Sequence, residues 1–411
     1  MKFLINITLL MILAFTAGNA QTLDNYFKIA AENNPGLQAK YKDFEAAMQK
    51  VPQVSTLPDP TLSFGYFISP AETRVGPQRA RFSLTQMFPW FGTLKAQGNA
   101  ATLMAEAKYQ SFMDARNRLF YQVAAAYYSL LELKRWEMIE QKNIEILQSY
   151  KNFTNSRFKS GTGPMADVLR VDIMMNDANT SLTILDQKEK PLLAAFNKLL
   201  NRHENEIVIL TDSLATYDLP DHFREDILLE SNPLVKELDL KIKSSEASVL
   251  AAQKLGLPKL GVGLDYVVVG ERSDIVMSDN GKDVLMPMVT VTIPLFRRKY
   301  QASVKEMQLI QESYSLQKEE YTNSLAASYE MAWFEMEQQK ELLILYDRQI
   351  KESVQVLNLL FSAYANSGAS FEEVLRMQQQ ILKYEKMKAT AEAQYLAAIA
   401  RINYFTAKSY Q

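Results

Sequence analysis

The sequence predicts an α+β chain written twice: two strand hairpins, two helices of coiled-coil length, and an internal duplication that relates the halves. Three observations carry this. Proline and glycine punctuation recurs in one order at offsets of about 200 residues, far beyond the ~20–50 residues of a solenoid repeat. Two proline-free polar–apolar segments are each long enough for a helix of coiled-coil size. Four short segments alternate apolar and polar residues with period two.

The chain opens with "MKFLINITLLMILAFTAGNA". A positive Lys2, an apolar run from Phe3 to Phe15 and small residues Gly18 and Ala20 predict a secretory signal over residues 1–20. No later run of ~18 or more apolar residues predicts a spanning helix. With no cysteine in the chain, disulfides, thiol chemistry and a lipid anchor on an N-terminal cysteine are excluded.

The first repeat is expected over residues 21–217 and the second over 218–411. "NNPGLQAKYKDFEAA" from Asn33 is answered by "SNPLVKELDLKIKSSEA" from Ser231. "LPDPTLSFGYFI" from Leu57 is answered by "LPKLGVGLDYVVV" from Leu257, and "MFPWFGTLKAQ" by "IPLFRRKYQAS". Each half then reads helix, strand, strand, very long helix, turn, helix.

The strands are expected within about 59–88 and 259–294. Leu62, Phe64, Tyr66 and Ile68 fall on one face, with Ser63 and Gly65 on the other. Phe82 and Leu84 oppose Arg81, Ser83 and Thr85. Leu260, Val262, Leu264, Tyr266 and Val268 oppose Gly261, Gly263 and Asp265, and Val289, Val291 and Ile293 oppose Thr290 and Thr292. A soluble half-buried sheet gives this pattern, and so does a membrane barrel with apolar residues toward lipid. The signal and the tube-length helices favour the barrel. Four strands cannot close one, because an open edge in lipid leaves backbone groups unpaired, so a membrane reading demands several chains. The intervening "SPAETRVGPQ" and "GERSDIVMSDNGKD" are expected as polar loops at the strand tips.

The long helices are expected over about 92–160 and 298–367. At ~1.5 Å per residue each spans roughly 100 Å, against ~10–14 residues for an ordinary globular helix. Leu343, Tyr346, Ile350, Val354, Leu357, Phe361 and Tyr364 step by three or four and form one apolar seam. The helices are followed by two similar turns, "GTGPMADVLR" (161–170) and "SGASFEEVLR" (367–376).

Composition excludes much chemistry. Net charge is −2, which gives no electrostatic case for nucleic acid. Only His203 and His222 are present, which removes most zinc and histidine-base chemistry. No P-loop, nucleophile elbow, HExxH or Cys–His cluster occurs, so no enzyme activity and no cofactor are expected. Of 18 methionines, only Met174-Met175 and Met286 to Met288 are grouped; methionine is a common core filler, and no metal site is expected.

The order of elements, "LPDPTLSFGY", "FPWFGTLKAQ" and the two turns resemble the TolC-like outer-membrane efflux protein family, and look most like its branch serving heavy-metal pumps of the resistance-nodulation-division type. The resemblance implies a homotrimer with a twelve-stranded outer-membrane barrel and a twelve-helix periplasmic tunnel. It implies a passive exit duct served by a periplasmic adaptor and an inner-membrane pump. It places the turns at the periplasmic mouth, with an aperture formed by Asp167, Glu372, Glu373 and Arg376. Adaptor contact falls on Gly161, Gly163, Val168, Leu169, Ser367, Gly368, Val374 and Leu375. Two plainer readings stand beside these. The Val-Leu pairs would simply pack the tip, and the acids would serve the helix dipole. The alternative for the whole chain is an exported soluble coiled-coil scaffold that binds protein partners.

Overall fold

A computed structural model describes residues 23–210, 219, 223, 231–274, 276–366 and 370–407. The expected signal at 1–20, His222, Ser367 and Gly368 lie outside the described residues. In chain order the elements are α1 (Leu23–Asn33), α2 (Pro35–Ser55), β1 (Thr61–Thr73), β2 (Gly76–Phe88), α3 (Thr93–Lys159), α4 (Met165–Leu199), α5 (Pro233–Leu255), β3 (Lys259–Val269), β4 (Val284–Thr292), α6 (Arg298–Ala365) and α7 (Phe371–Thr406). The two long helices run unbroken for 67 and 68 residues. Among the described residues no helix is long and apolar enough to cross a membrane.

Contacts divide the chain into two compact units, and each unit draws on both repeats. One comprises residues 1–39, 113–232 and 322–411; the other comprises 40–112 and 233–321.

The second unit holds the sheet. Its strands run antiparallel in the order β1-β2-β3-β4. The duplication therefore meets at the β2–β3 seam, where Phe82 pairs with Tyr266 and Leu84 with Leu264. Register carries the alternation across all four strands. Leu62, Leu84, Leu264 and Pro287 form one row, and Phe64, Phe82, Tyr266 and Leu285 the next. This face is open: Leu62, Phe64, Tyr66, Val289 and Val291 are all exposed. The opposite face carries Ser63, Ser83, Asp265 and Met286 in one row. Asp265 is fully buried there, ion-paired to Arg81 and accepting a hydrogen bond from Ser83 Oγ at 2.5 Å.

The first tip differs from the expected loop. β1 continues through Ser69–Thr73 and β2 begins at Gly76, so most of "SPAETRVGPQ" is strand. Pairing lapses only between Tyr66 and Ala71, around Pro70, which has no N–H to donate. Gly76 turns the chain with φ +135°, where a side chain would meet the Gly270 carbonyl. The longer tip is tied to the shorter by Gly270 N–H to Pro77 O (2.8 Å) and Gly281 N–H to Val75 O (2.7 Å). Polar bonds join the helices of this unit, including Ser244 Oγ to Ala100 O at 2.8 Å and Lys318 Nζ to Asp239 at 2.7 Å.

The first unit is helical. Tyr26 is fully buried against Phe196 and Tyr127, and its hydroxyl accepts the Ile209 N–H at 2.8 Å. α3 and α7 are joined by Trp136 Nε1–H to Lys386 O (3.2 Å) and by the Lys386–Glu140 ion pair. Arg401 of α7 holds Glu335 of α6 at 2.9 Å. Below the two turns, α3, α4, α6 and α7 converge on one apolar core that contains Leu147, Val171, Tyr364, Phe371, Val374 and Leu375.

Candidate functional site

The site is the pair of turns that joins α3 to α4 and α6 to α7. α3 ends because Gly161 takes φ +72°, a conformation glycine adopts without a Cβ penalty. Gly161 N–H bonds Phe158 O at 3.0 Å and Thr162 N–H bonds Arg157 O at 2.9 Å. This 5→2 and 6→1 pair is the Schellman arrangement that satisfies the last helical carbonyls. Gly163 serves close approach: a Cβ there would sit 3.0 Å from Arg157 Cβ. Pro164 then caps α4 in an extended conformation. α7 starts on Ser370, whose Oγ accepts the Glu372 N–H at 3.2 Å.

Asp167 stands in the first turn of α4, where a carboxylate suits the helix dipole. Its side chain is buried and does more than that. It accepts the Tyr364 hydroxyl at 2.9 Å and faces Arg170 Nη1 at 3.5 Å. Arg170 continues to Glu372 at 3.2 Å. Arg157 completes the network: it donates to Tyr364 O (2.8 Å) and Thr162 O (3.0 Å), and its guanidinium lies 4.6 Å from the centre of the Tyr364 ring. A charged and hydrogen-bonded chain therefore links both turns. Burial, reinforced by the Asp167 carboxylate, pushes the Tyr364 phenol up to about 12.

The candidate residues separate by surroundings. Asp167 and Glu372 meet through Arg170. Glu373 and Arg376 form no ion pair with any of the described residues; Arg376 is exposed. Val168, Val374 and Leu375 are buried in the chain's own core, whereas Leu169 is half exposed. The same Val-Leu pair is thus used differently in the two turns. Phe371, 1% exposed, fills the first helical position of α7, where α4 has Met165 at 44%. Tyr364 and Arg157 were not singled out as site residues in the sequence. The only signal was Tyr364's place on the α6 seam, which reports packing and not its hydroxyl's partner 197 positions away.

This fold, with a four-stranded antiparallel sheet and two very long helices per chain, is that of the TolC-like outer-membrane channels. The family model for outer membrane efflux proteins matches residues 27–201. Sequence match and fold agree: residues 27–201 are similar to outer membrane efflux proteins, and the fold as a whole is shared with solved outer-membrane channels. It is 21% identical over 262 residues to Nodulation protein T of Rhizobium leguminosarum bv. trifolii, a match covering 60% of this chain and 55% of that protein. The chain thus spans about 55% of that relative's length. Among solved structures, CusC superposes with a TM-score of 0.78 at 15% identity, covering 93% of this chain and 91% of that one. The outer membrane protein VceC of Vibrio cholerae gives 0.75 at 13% identity, covering 95% and 97%. The outer-membrane channel OprN gives 0.74 at 18% identity, covering 94% and 90%.

Proposed function

We propose that the chain is the outer-membrane exit duct of a tripartite efflux system. Three copies would pool their sheets into a twelve-stranded barrel and their helices into a periplasmic tunnel. An adaptor and an inner-membrane pump of the resistance-nodulation-division type would dock at the turns. The duct would have no catalytic step and conduct passively, with the energy supplied by the pump. An N-terminal secretory signal fits this route of export.

The observation that carries the reading is the sheet. One face is apolar and exposed apart from Gln86, the other holds serines, glycines and the ion pair of Arg81 with the buried Asp265, and both edge strands lack an outer partner among the described residues. Lipid satisfies the apolar face, and further copies satisfy the edges.

At the turns, the proposal divides the labour. The Tyr364–Asp167–Arg170–Glu372 chain holds each protomer's turns together. Glu373 and Arg376 have no ion-pair partner in the chain among the described residues and are the groups available for pairing between copies at a closed mouth. Leu169 is the apolar contact left for an adaptor hairpin, flanked by the glycine turns at 161–163 and, in the second repeat, by Ser367 and Gly368.

The test is to extract the full chain from membranes with detergent, image single particles and record conductance in planar bilayers. Three-fold particles that conduct support the duct. Monomers recovered from the soluble fraction that form no pores would leave the exported scaffold as the reading.

A further inference from the structure

Where the sheet meets the helices, open apolar side chains stand beside a one-sided cluster of charge. Phe88, Leu260 and Val291 share a row near the end of the sheet, and all three are exposed. Beyond them the apolar face continues through Trp90, Phe91, Ile293, Leu295 and Phe296. Phe91, Leu295 and Phe296 are 77%, 78% and 83% exposed, and Trp90 meets Phe91 edge to face at 6.1 Å.

Local contacts hold these segments at one level. Lys254 Nζ, in the last turn of α5, donates to Phe91 O at 3.3 Å. Two residues on, Gly256 packs so closely on α6 that a Cβ there would sit 3.3 Å from the Tyr300 Cβ. Gln86 Nε2 donates to Pro58 O at 2.8 Å, which brings in the segment before β1. Residues 56–60, 88–97, 254–260 and 292–301 form this collar. They carry Lys95, Lys254, Lys259, Arg297, Arg298 and Lys299 against the single acid Asp59, a net +5 in a chain whose total is −2. Among the described residues none of the six basic groups forms an ion pair within the chain. α3 and α6 also begin here, at Thr93 and Arg298, with no acid in the first turn, so their positive ends are uncompensated.

We infer that the collar binds anionic phospholipid in the leaflet that the helices leave through. Arg297, Arg298 and Lys299 hold headgroup phosphates, and Trp90, Phe91, Leu295 and Phe296 enter the acyl region. This rests on the duct reading and deepens it by naming the lipid class held at the base of the sheet. Any lipid-facing sheet needs an apolar band bounded by aromatic residues. It does not need a charge of +5, which a zwitterionic leaflet would not attract and an anionic one does. The guanidinium groups of Arg297 and Arg298 suit a phosphate, which can take two parallel N–H bonds from each.

The full chain in detergent is mixed with equal amounts of phosphatidylglycerol and phosphatidylethanolamine of matched acyl chains, and the retained lipid is read by native mass spectrometry. One basic residue at an anionic surface strengthens binding about fivefold, so phosphatidylglycerol should be favoured roughly tenfold or more. Arg297→Gln with Arg298→Gln and Lys299→Gln should bring the two lipids to parity. All three residues are exposed, so the fold should tolerate the change. Arg74→Gln with Lys282→Gln, exposed at the other end of the sheet, should leave the preference intact. Equal retention of both lipids by the native chain, or an equal loss of preference in both variants, overturns the inference. Displacement of the lipid by excess inorganic phosphate also overturns it, because that would mark an anion site with no acyl contact. Conductance in planar bilayers is recorded on the same preparations. A conducting chain with no lipid preference leaves the duct standing, and a chain that forms no pore overturns both.

Discussion

The Tyr364 hydroxyl donates to Asp167 at 2.9 Å, joining the end of one long helix to the turn that follows the other. Neither residue is near the other in sequence, and both are buried. The bond makes the two turns one mechanical unit, so its removal should be felt at both.

Tyr364→Phe keeps the ring's packing on Phe371 and Arg157 and deletes only the donor. A hydrogen bond to a charged group contributes about 1.5–3 kcal/mol. Hydrogen exchange in residues 157–170 should rise, and single-channel conductance should rise with it. Unchanged exchange would show that Arg170 alone holds Asp167.

The same phenol gives a pH dependence. Its value in the fold lies above the ordinary 10, at about 12. A raised value means that the contribution is complete below pH 10 and is lost as pH climbs from 10 to about 12. The tyrosinate absorbance of the native chain minus that of Tyr364→Phe should show one phenol titrating well above 10. Tyr404, pushed up to about 12 by burial and then by Asp114, titrates in the same range in both proteins and cancels in the difference. A difference centred at the ordinary phenol value would mean that the Tyr364 site is open to water.

Gly161→Ala forces a Cβ into left-handed backbone, at a cost of about 1–2 kcal/mol. No atom lies within 4 Å of that Cβ, so strain is the whole effect. The thermal midpoint in detergent should fall modestly without loss of assembly. No change in midpoint would mean that the turn relaxes out of its left-handed conformation.

Val262→Arg and Thr290→Arg place the same charge on opposite faces of the sheet. On a lipid-facing position near mid-bilayer the cost is about 2–4 kcal/mol, and toward a wet lumen it is small. The yield of assembled protein in membranes should drop for Val262→Arg and hold for Thr290→Arg. Equal yields would count against a lipid-facing role for the apolar face.

Glu373→Ala with Arg376→Ala removes the two groups proposed to pair between copies. Conductance should rise with local exchange in 157–170 unchanged, which separates this effect from that of Tyr364→Phe. Unaltered conductance removes both residues from the mouth.

The sequence made the architecture legible because its punctuation is local. Gly161 signals a left-handed cap, period-two alternation signals strands, and the absence of proline permits 67 helical residues in α3. What stayed hidden depends on which neighbour a residue meets. The repeated Val-Leu pair reads alike in both turns, yet Leu375 is buried while Leu169 is half exposed, because Phe371 seats α7 more deeply than Met165 seats α4. Tyr364 belonged to a legible stripe, but a stripe does not announce a hydroxyl's acceptor. The α6 helix carries two apolar faces, and only one of them steps by three and four. The face shared by Phe334, Leu345 and Val356 turns outward.

The seam between β2 and β3 joins strands from opposite ends of the duplication, so the sheet cannot form until most of the chain has been made and delivered. Pairings this remote in sequence are slow to find, and among the described residues the finished sheet still shows two bare edges, which are templates for unwanted strand addition. Under the proposed assembly, a solitary copy would be the hazardous form of this protein. Its persistence would depend on how quickly sister copies arrive, and so on dosage: a cell that makes too little would accumulate the species most prone to aggregate, because folded stability would then be inseparable from subunit concentration.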